Sequence, residues 1–426
     1  MLSVRVMIAG ASGFIGGHLA RACAAAGHEV TCGGRRPPEG IPGARQLALD
    51  YAALPPLEVL ARELRGIDVV VNAVGILRPD STRTFDALHA RGPRALFTAA
   101  VAAGVRRIVQ ISALGAEPDA LSAYHRSKSE ADRTLMMLPV DWAVAMPSLV
   151  YGPGGTSARL FDTLASLPVI PLPAGGLQSI QPVHISDVTG ALLRLIESPV
   201  ELRCTLQMVG PEPMTLANYL RSLRAALGMR PTASVSVPRA FMTAAARVGD
   251  HLPTAFLSRE TLGMLERGNF GDASGLTRLL DRPPLTVSAF IDPAGRQAAR
   301  TVAVLGWISP LLRVSVAFMW IIAGVVSLGP QSAEGLALLR QIGAPVAAAP
   351  VLLVGAAILD IALGLFTLWP RRPPSLWTAQ ILLVTIYTVI ISLFLPELWL
   401  EPFGPVAKNV PILALLLLLR HLDHRL

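Results

Sequence analysis

Apolar positions along the chain fall into two regimes. Up to about residue 300, runs of four to six apolar residues alternate with stretches in which apolar residues recur at helical spacing; beyond about residue 308, continuous apolar segments dominate. The short runs Ser3–Ile8, Glu29–Cys32, Gln46–Leu49, Asp68–Val71, Arg107–Ile111 and Trp142–Met146 predict six strands, with helices between them. Strands that alternate with helices must be parallel, because each crossover helix returns the chain to the same end of the sheet. The expectation is an α/β fold with a doubly wound parallel sheet over residues 1–300, followed by a membrane domain over 301–426.

Four apolar segments, about 311–329, 346–369, 376–395 and 405–420, approach the roughly 20 residues that a helix needs to cross a bilayer. They account for a composition of 52% hydrophobic and 15% charged residues and a mean hydropathy of +0.52. Arg313, Arg371, Arg372, Arg420, His421, His424 and Arg425 lie at one set of segment ends, and Glu334, Arg340, Glu397 and Glu401 at the other. By the bias of basic residues toward the cytoplasm, this predicts a bacterial-type inner-membrane protein, multi-pass, with the front domain and both termini cytoplasmic. Trp369, Trp377 and Trp399 fit an interfacial belt. Asp360 is an acid well inside a span, where an ionisable group is costly and wants a partner; Lys408 and Asn409 are the candidates. The N-terminal apolar run leads into a glycine-rich turn and not a cleavage site, so no signal peptide is expected. The net charge of +8 comes from scattered arginines without a recognition element, which argues against nucleic acid. Cys23, Cys32 and Cys204 show no metal-ligand spacing, and no metal site is expected.

Directly after the first strand comes Ile8-Ala9-Gly10-Ala11-Ser12-Gly13-Phe14-Ile15-Gly16, with glycines at a spacing of three, and a helix pattern follows. Such a turn lets the backbone approach a pyrophosphate, which rests on the free N–H groups of the helix start. Gly10, Ser12, Gly13, Phe14, Ile15 and Gly16 are therefore expected to bind a dinucleotide. After strand two the chain has Gly33-Gly34-Arg35-Arg36 and no acid to hold the adenosine ribose. A guanidinium suits a 2′-phosphate, so Arg35 and Arg36 predict NADP(H), with NAD(H) as the alternative. Asn72-Ala73-Val74-Gly75 after strand four lets the backbone lie beneath the coenzyme, and Asp50 after strand three is placed to meet the adenine.

In Ser122-Ala123-Tyr124-His125-Arg126-Ser127-Lys128, Tyr124 and Lys128 share one helix face, one turn apart. A nearby ammonium favours the phenolate, which would ease proton transfer from Tyr124 at neutral pH, and Lys128 can also hold the nicotinamide ribose. Ser112, after strand five, can hydrogen-bond a substrate carbonyl.

These motifs, with Pro147-Ser148-Leu149-Val150-Tyr151-Gly152-Pro153-Gly154 and Gln181-Pro182-Val183-His184-Ile185-Ser186-Asp187-Val188, resemble the extended or atypical short-chain dehydrogenase/reductases. The flavour is similar to the branch holding the NADPH-binding accessory subunit of respiratory complex I and the nucleotide-sugar epimerases and dehydratases. The resemblance implies a catalytic trio of Ser112, Tyr124 and Lys128 and nicotinamide contacts at Pro147 and Ser148. Ser186 or Asp187 is expected to cap the helix that follows. Three departures bear on activity: His89 stands where relatives often have an asparagine that supports the proton relay, Met146 stands where many have arginine, and Ser112 precedes Ala113-Leu114 and not further serines. Residues 200–300, Thr205–Gly210 included, are expected to cover the substrate, and Pro293–Thr301 to link to the membrane.

The later apolar segments carry Met319–Ser327, Gly355–Gly364 and Glu401-Pro402-Phe403-Gly404-Pro405 through Lys408–Pro411, and they resemble the DoxX-like four-helix membrane family. The expected function is a membrane-anchored NAD(P)(H)-dependent oxidoreductase acting on a carbonyl or carbinol, and a tether suits a lipophilic small molecule. Two alternatives stand beside it: a non-catalytic NADPH-binding subunit of a membrane complex, and a nucleotide-sugar epimerase or dehydratase.

Overall fold

The computed structural model describes residues 3–36, 40–41, 43–251, 257–329, 332–401 and 404–424; Pro402, Phe403 and Arg425 lie outside them. It divides into two units, Met1–Ala303 and Val304–Leu426.

In the first unit, β1 (Arg5–Ala9), β2 (Glu29–Gly34), β3 (Arg45–Ala48), β4 (Val69–Asn72), β5 (Arg107–Ile111), β6 (Asp141–Pro147) and β7 (Arg203–Met208) form one sheet in the order β7-β6-β5-β4-β1-β2-β3. Every pairing is parallel. The strands read as unbroken apolar runs because both faces are covered. Val6 and Ile8 pack on one side with Leu19, Ala191 and Leu195, whereas Met7 and Ala9 pack on the other with Leu96, Phe97 and Leu135. The covering helices are α1 (Phe14–Ala25), α2 (Leu57–Glu63), α3 (Gly92–Ala102) and α4 (Ala123–Met136), with α5 (Thr156–Ser166) and α6 (Ile185–Glu197) further along. Strand order reverses between β1 and β4, and a crevice opens there at the carboxyl ends.

β7 corrects the expectation that Thr205–Gly210 belongs to the substrate cover. It is an edge strand beside β6, with Leu206 opposite Ala145. Arg203, Thr205 and Gln207 are exposed, so the segment lacks the continuous apolar run that marks the inner strands. The helix cap is a second correction. His184 precedes α6 and its ring accepts from the Ser186 N–H. Asp187 is fully buried, accepting from Arg282 Nη2 at 2.6 Å and Leu285 N at 2.7 Å.

A separate apolar cluster, including Phe161, Leu172, Leu216, Tyr219, Leu220 and Phe290, builds the remainder of this unit. It involves α5, α7 (Leu216–Ala226) and the parallel pair Ile170–Pro173 with Ser234–Val237. α8 (Arg239–Asp250), α9 (Arg259–Arg267) and α10 (Ser274–Leu280) complete it.

α11 (Arg296–Leu328) begins inside the segment read as a linker, and the division between units falls within it. α12 (Ser332–Gln341), α13 (Ala349–Leu368), α14 (Ser375–Phe394) and α15 (Asn409–His424) follow. Val316, Trp320, Leu363, Trp377, Leu416 and Leu419 make the core of the second unit. α11 and α13 touch backbone to backbone: a Cβ on Gly364 would lie 2.8 Å from the Ala317 carbonyl oxygen, and one on Gly324 would meet that of Ala357 at 2.5 Å. Close approach through small residues is how helices associate where no hydrophobic drive exists between them. α11, α13 and α14 are long and apolar enough to cross a membrane by length and composition. α15, read as a fourth span over 405–420, has 16 residues. Three hydrogen bonds pair polar groups inside the unit: Trp320 Nε1 donates to Gln380 Oε1 (2.9 Å), Gln380 Nε2 to Thr367 Oγ1 (2.9 Å) and Asn409 Nδ2 to Thr388 Oγ1 (2.8 Å). Asn409 is thus engaged away from Asp360, whose buried Oδ1 has no hydrogen-bond partner among the described residues. Asp423 gathers the basic end, accepting from Arg313, Arg372 and Trp377 Nε1.

One ion pair locks the sheet of the first unit. Arg107 on β5 is fully buried; it bonds Asp141 at 2.6 Å and the carbonyls of Leu195 (2.7 Å), Ser198 (2.9 Å) and Val200 (2.6 Å). Arg107→Ala leaves these acceptors unpaired and is expected to destabilise this unit by about 3–5 kcal/mol, read by pulse proteolysis in denaturant.

Candidate active site

The glycine turn after β1 is tight for a steric reason. Gly10 has φ +83°, and a Cβ there would sit 2.9 Å from the carbonyl carbon and oxygen of Ala73, at the end of β4. A Cβ on Gly16 would run into the Gly10 carbonyl. The turn therefore presses against the Ala73–Gly75 backbone, and α1 opens at Gly13 with no side-chain cap on its N–H groups. Gly13, Phe14 and Ile15 line a cavity of about 600 Å³ together with Ala73, Gly75, Ser112, Tyr124, Lys128, Pro147 and Ser148. Ser12, Arg35 and Arg36 line a second, polar cavity of about 720 Å³ with Asp80, Thr82 and Arg83. A backbone cradle with uncapped N–H groups and a polar pocket beside it fits a dinucleotide coenzyme.

Lys128 is buried on α4, and its ammonium donates to Val74 O (3.2 Å) and Ile111 O (3.0 Å) at the ends of β4 and β5. Burial pulls its pKa down to about 8, opposed by the charge of Asp132. Tyr124 differs from expectation: burial, followed by the Asp132 charge, pushes it up to about 12. The ammonium is spent on two carbonyls and an acid lies nearby, so the phenol keeps its proton.

Ser112 is buried and donates its hydroxyl to Asp132 Oδ2. Burial raises Asp132 to about 6, against the pull of Ser112, Lys128 and Gln110. The Ser112 proton is thereby committed, and a carbonyl can receive it only after the hydroxyl turns away from Asp132. Asn72 is also engaged: its side chain lies between Tyr51 OH (2.8 Å) and Gln110 Oε1 (2.7 Å), fully buried. Asn72 lines neither cavity, so the expectation that it meets the coenzyme falls to its neighbours Ala73 and Gly75. The Ser148 hydroxyl likewise donates to Gln181 O at 2.5 Å. Asp50 lines neither cavity; its carboxylate accepts from Ala52 N at 3.0 Å.

His89 belongs to the site. Its Nε2 accepts from Ile76 N (3.0 Å) and its Nδ1 meets Ser127 Oγ (2.9 Å), whose proton goes to Tyr124 O (2.7 Å). These partners fix the neutral Nδ1–H tautomer, because a cation would have no acceptor at Nε2. Burial and the Lys128 charge push His89 down to about 2. The imidazole thus pins the Gly75–Ile76 backbone beside Lys128, and both of its nitrogens are occupied.

Comparison with known proteins decides the lineage. The NAD dependent epimerase/dehydratase family matches residues 6–205, and the DoxX-like family matches 317–417. A 3-diazoavenalumate denitrifying reductase from Streptomyces sp is 31% identical over 260 residues, covering 54% of this chain and 83% of that protein. The chain belongs to the NAD-dependent epimerase/dehydratase family. It carries a DoxX-like domain at its C-terminal end and is membrane-associated.

Ceramide reductase of Caulobacter vibrioides is 29% identical over 229 residues, with 53% of this chain and 71% of that protein covered. NADH dehydrogenase (ubiquinone) 1 alpha subcomplex subunit 9 of Arabidopsis thaliana is 26% identical over 221 residues, and the match spans 54% of its length. In fold, the first unit is similar to a nucleoside-diphosphate-sugar epimerase from Staphylococcus aureus, at TM-score 0.56 and 19% identity, covering 67% of this chain and 99% of that one.

Within this family member, sequence reasoning missed three groups. Asp132 lies four residues beyond Lys128 and eight beyond Tyr124, so helical spacing alone could have found it. His125 lines the cavity beside Tyr124, with ring centroids 5.2 Å apart. Glu260 on α9 accepts from Ser122 Oγ (2.7 Å) and Tyr124 N (3.1 Å) at the start of α4, from 136 residues away, and nothing local announces it.

The raised Asp132 makes stability depend on pH. The folded state keeps this proton up to about pH 6 while the unfolded chain loses it near 3.8, so the contribution is full below that value and lost as pH rises to 6. Across this window wild-type stability is expected to fall by about 2–3 kcal/mol relative to Asp132→Asn. Denaturant melts at pH 4, 5 and 6 check it, and parallel profiles would refute the assignment.

Proposed function

We propose that the protein is a membrane-anchored NADP(H)-dependent oxidoreductase that interconverts a carbonyl and a carbinol. The observation that carries this reading is the convergence of Tyr124, Lys128 and Ser112 on the cavity that the glycine turn also lines. When bound, the reduced coenzyme supplies a hydride to the carbonyl carbon. Gly10 and Gly13–Gly16 would hold the pyrophosphate, Ala73–Gly75, Pro147 and Ser148 would hold the nicotinamide half, and Lys128 would bond the ribose. Tyr124 gives its phenolic proton to the carbonyl oxygen, or takes it back in the reverse direction. A phenol that stays protonated at neutral pH suits the donor role. Ser112 orients the substrate oxygen once its hydroxyl leaves Asp132.

The exposed Arg35 and Arg36, sharing a polar cavity with Ser12, support NADP(H) over NAD(H) through a 2′-phosphate. The basic ends gathered at Asp423 support a cytoplasmic nucleotide-binding domain and cytoplasmic termini in a bacterial-type inner membrane. A second reading, a coenzyme-binding subunit of a membrane complex without turnover, draws on the likeness to the mitochondrial NADH dehydrogenase subunit and on the committed Ser112 hydroxyl.

Tyr124→Phe is expected to lower turnover by about 10²–10⁴-fold while NADPH affinity stays at the wild-type level. Unchanged turnover rejects the mechanism, and tight NADPH binding without turnover on any carbonyl favours the second reading. Arg35→Ala is expected to weaken NADPH by about tenfold or more and to leave NADH unchanged, as measured by calorimetry. Equal NADPH and NADH affinities in the wild type would remove the preference.

A further inference from the structure

The cavity does not end at Tyr124. It continues into the portion built by α5, α7, α8 and α9, where Leu160, Leu164, Leu220, Met242, Leu262 and Leu265 form its wall. We propose that this extension holds the alkyl chain of a lipid-type carbonyl or carbinol whose reacting carbon lies at Tyr124, and that nucleotide sugars are not substrates. The inference rests on the oxidoreductase reading and names its substrate class.

The argument is one of solvation. Among the described residues that line the cavity, Lys128 is the one lysine or arginine, and no aspartate or glutamate is present. Its ammonium already serves two backbone carbonyls. A nucleotide sugar would bring a diphosphate, whose charge needs guanidinium or ammonium groups or a run of free N–H donors. Buried against leucine and methionine, that charge loses its water and gains nothing in return. An alkyl chain in the same space displaces water that has few polar partners there. Ser112, Tyr124 and His125 stand together at the α4 end of the lining, and its other uncharged polar side chains are Ser148, Ser157, Thr261 and Asn269, of which Ser148 donates to Gln181 O, Thr261 to Ser258 O and Asn269 accepts from Leu149 N. Polar at the reacting end, and beyond it mainly apolar and without a charged side chain among the described residues, the cavity matches a long-chain molecule with an oxygen function.

The test uses the full-length protein loaded with NADPH, which forms an unreactive complex with alcohols. Straight-chain alcohols from butanol to decanol, and UDP-glucose, are titrated calorimetrically. Affinity is expected to rise about fourfold per methylene, and UDP-glucose to give no heat. Met242 is partly exposed, so Met242→Arg can fold; it is expected to flatten the chain-length dependence, whereas Met242→Leu keeps it. Unchanged NADPH affinity certifies that each variant is folded, and the variants share the detergent background of the wild type. Binding of UDP-glucose, or the same slope in wild type and Met242→Arg, overturns the proposal. Absence of NADPH binding would overturn the oxidoreductase reading instead, and the alcohol series on coenzyme-free protein would still read the cavity.

Discussion

A lysine ammonium buried at the carboxyl end of the sheet sets the electrostatics of the crevice around it. Lys128 is held by Val74 O and Ile111 O, which fixes α4 against the ends of β4 and β5. Its charge helps to keep His89 neutral and opposes the rise of the Asp132 pKa. Charge inside protein is costly unless it is bonded, and this one is bonded to backbone that the sheet itself immobilises. The parallel order of β4 and β5 is therefore a precondition of the chemistry, because it brings two carbonyls to one point.

From that point outward, several buried polar groups of the site are already partnered. His89 steadies the Gly75–Ile76 backbone, Asn72 bridges Tyr51 and Gln110, and Ser112 leans on Asp132. Such a network trades adaptability for position. Tyr124 is the contrast, because no partner holds its hydroxyl in the hydrogen-bond network of the described residues. The group that the proposed reaction asks to exchange a proton is left unoccupied, as are the buried Gln110 Nε2, His125 Nδ1 and Asp132 Oδ1.

The two units answer to different solvents. In the first, apolar side chains cover both faces of a sheet and polar groups gather where strands end. In the second, Gly324 and Gly364 let helices meet at the backbone, and Trp320, Gln380 and Thr367 satisfy one another inside it. A lipid-facing surface supplies no hydrogen bonds, so polar side chains in such a unit must find partners among themselves.

Much of this architecture is legible in periodicity and local chemistry alone. The six inner and flanking strands, the glycine turn, the Tyr124–Lys128 pair and the long apolar helices all follow from residues near one another in the chain, where spacing maps onto one helix face or one strand. β7 escaped because an edge strand wets one face and loses its apolar signature. The true cap of α6, the helical start at Arg296 and the engagement of Asn409 escaped because each depends on which neighbour arrives. The same holds for the protonation of Tyr124: sequence places an ammonium one turn away, but only packing decides that the ammonium points to carbonyls and that the phenol is partly buried beside Asp132. Sequence determined which groups are present and on which element they ride; tertiary structure decided their solvation, and solvation sets both charge state and what the cavity will accept.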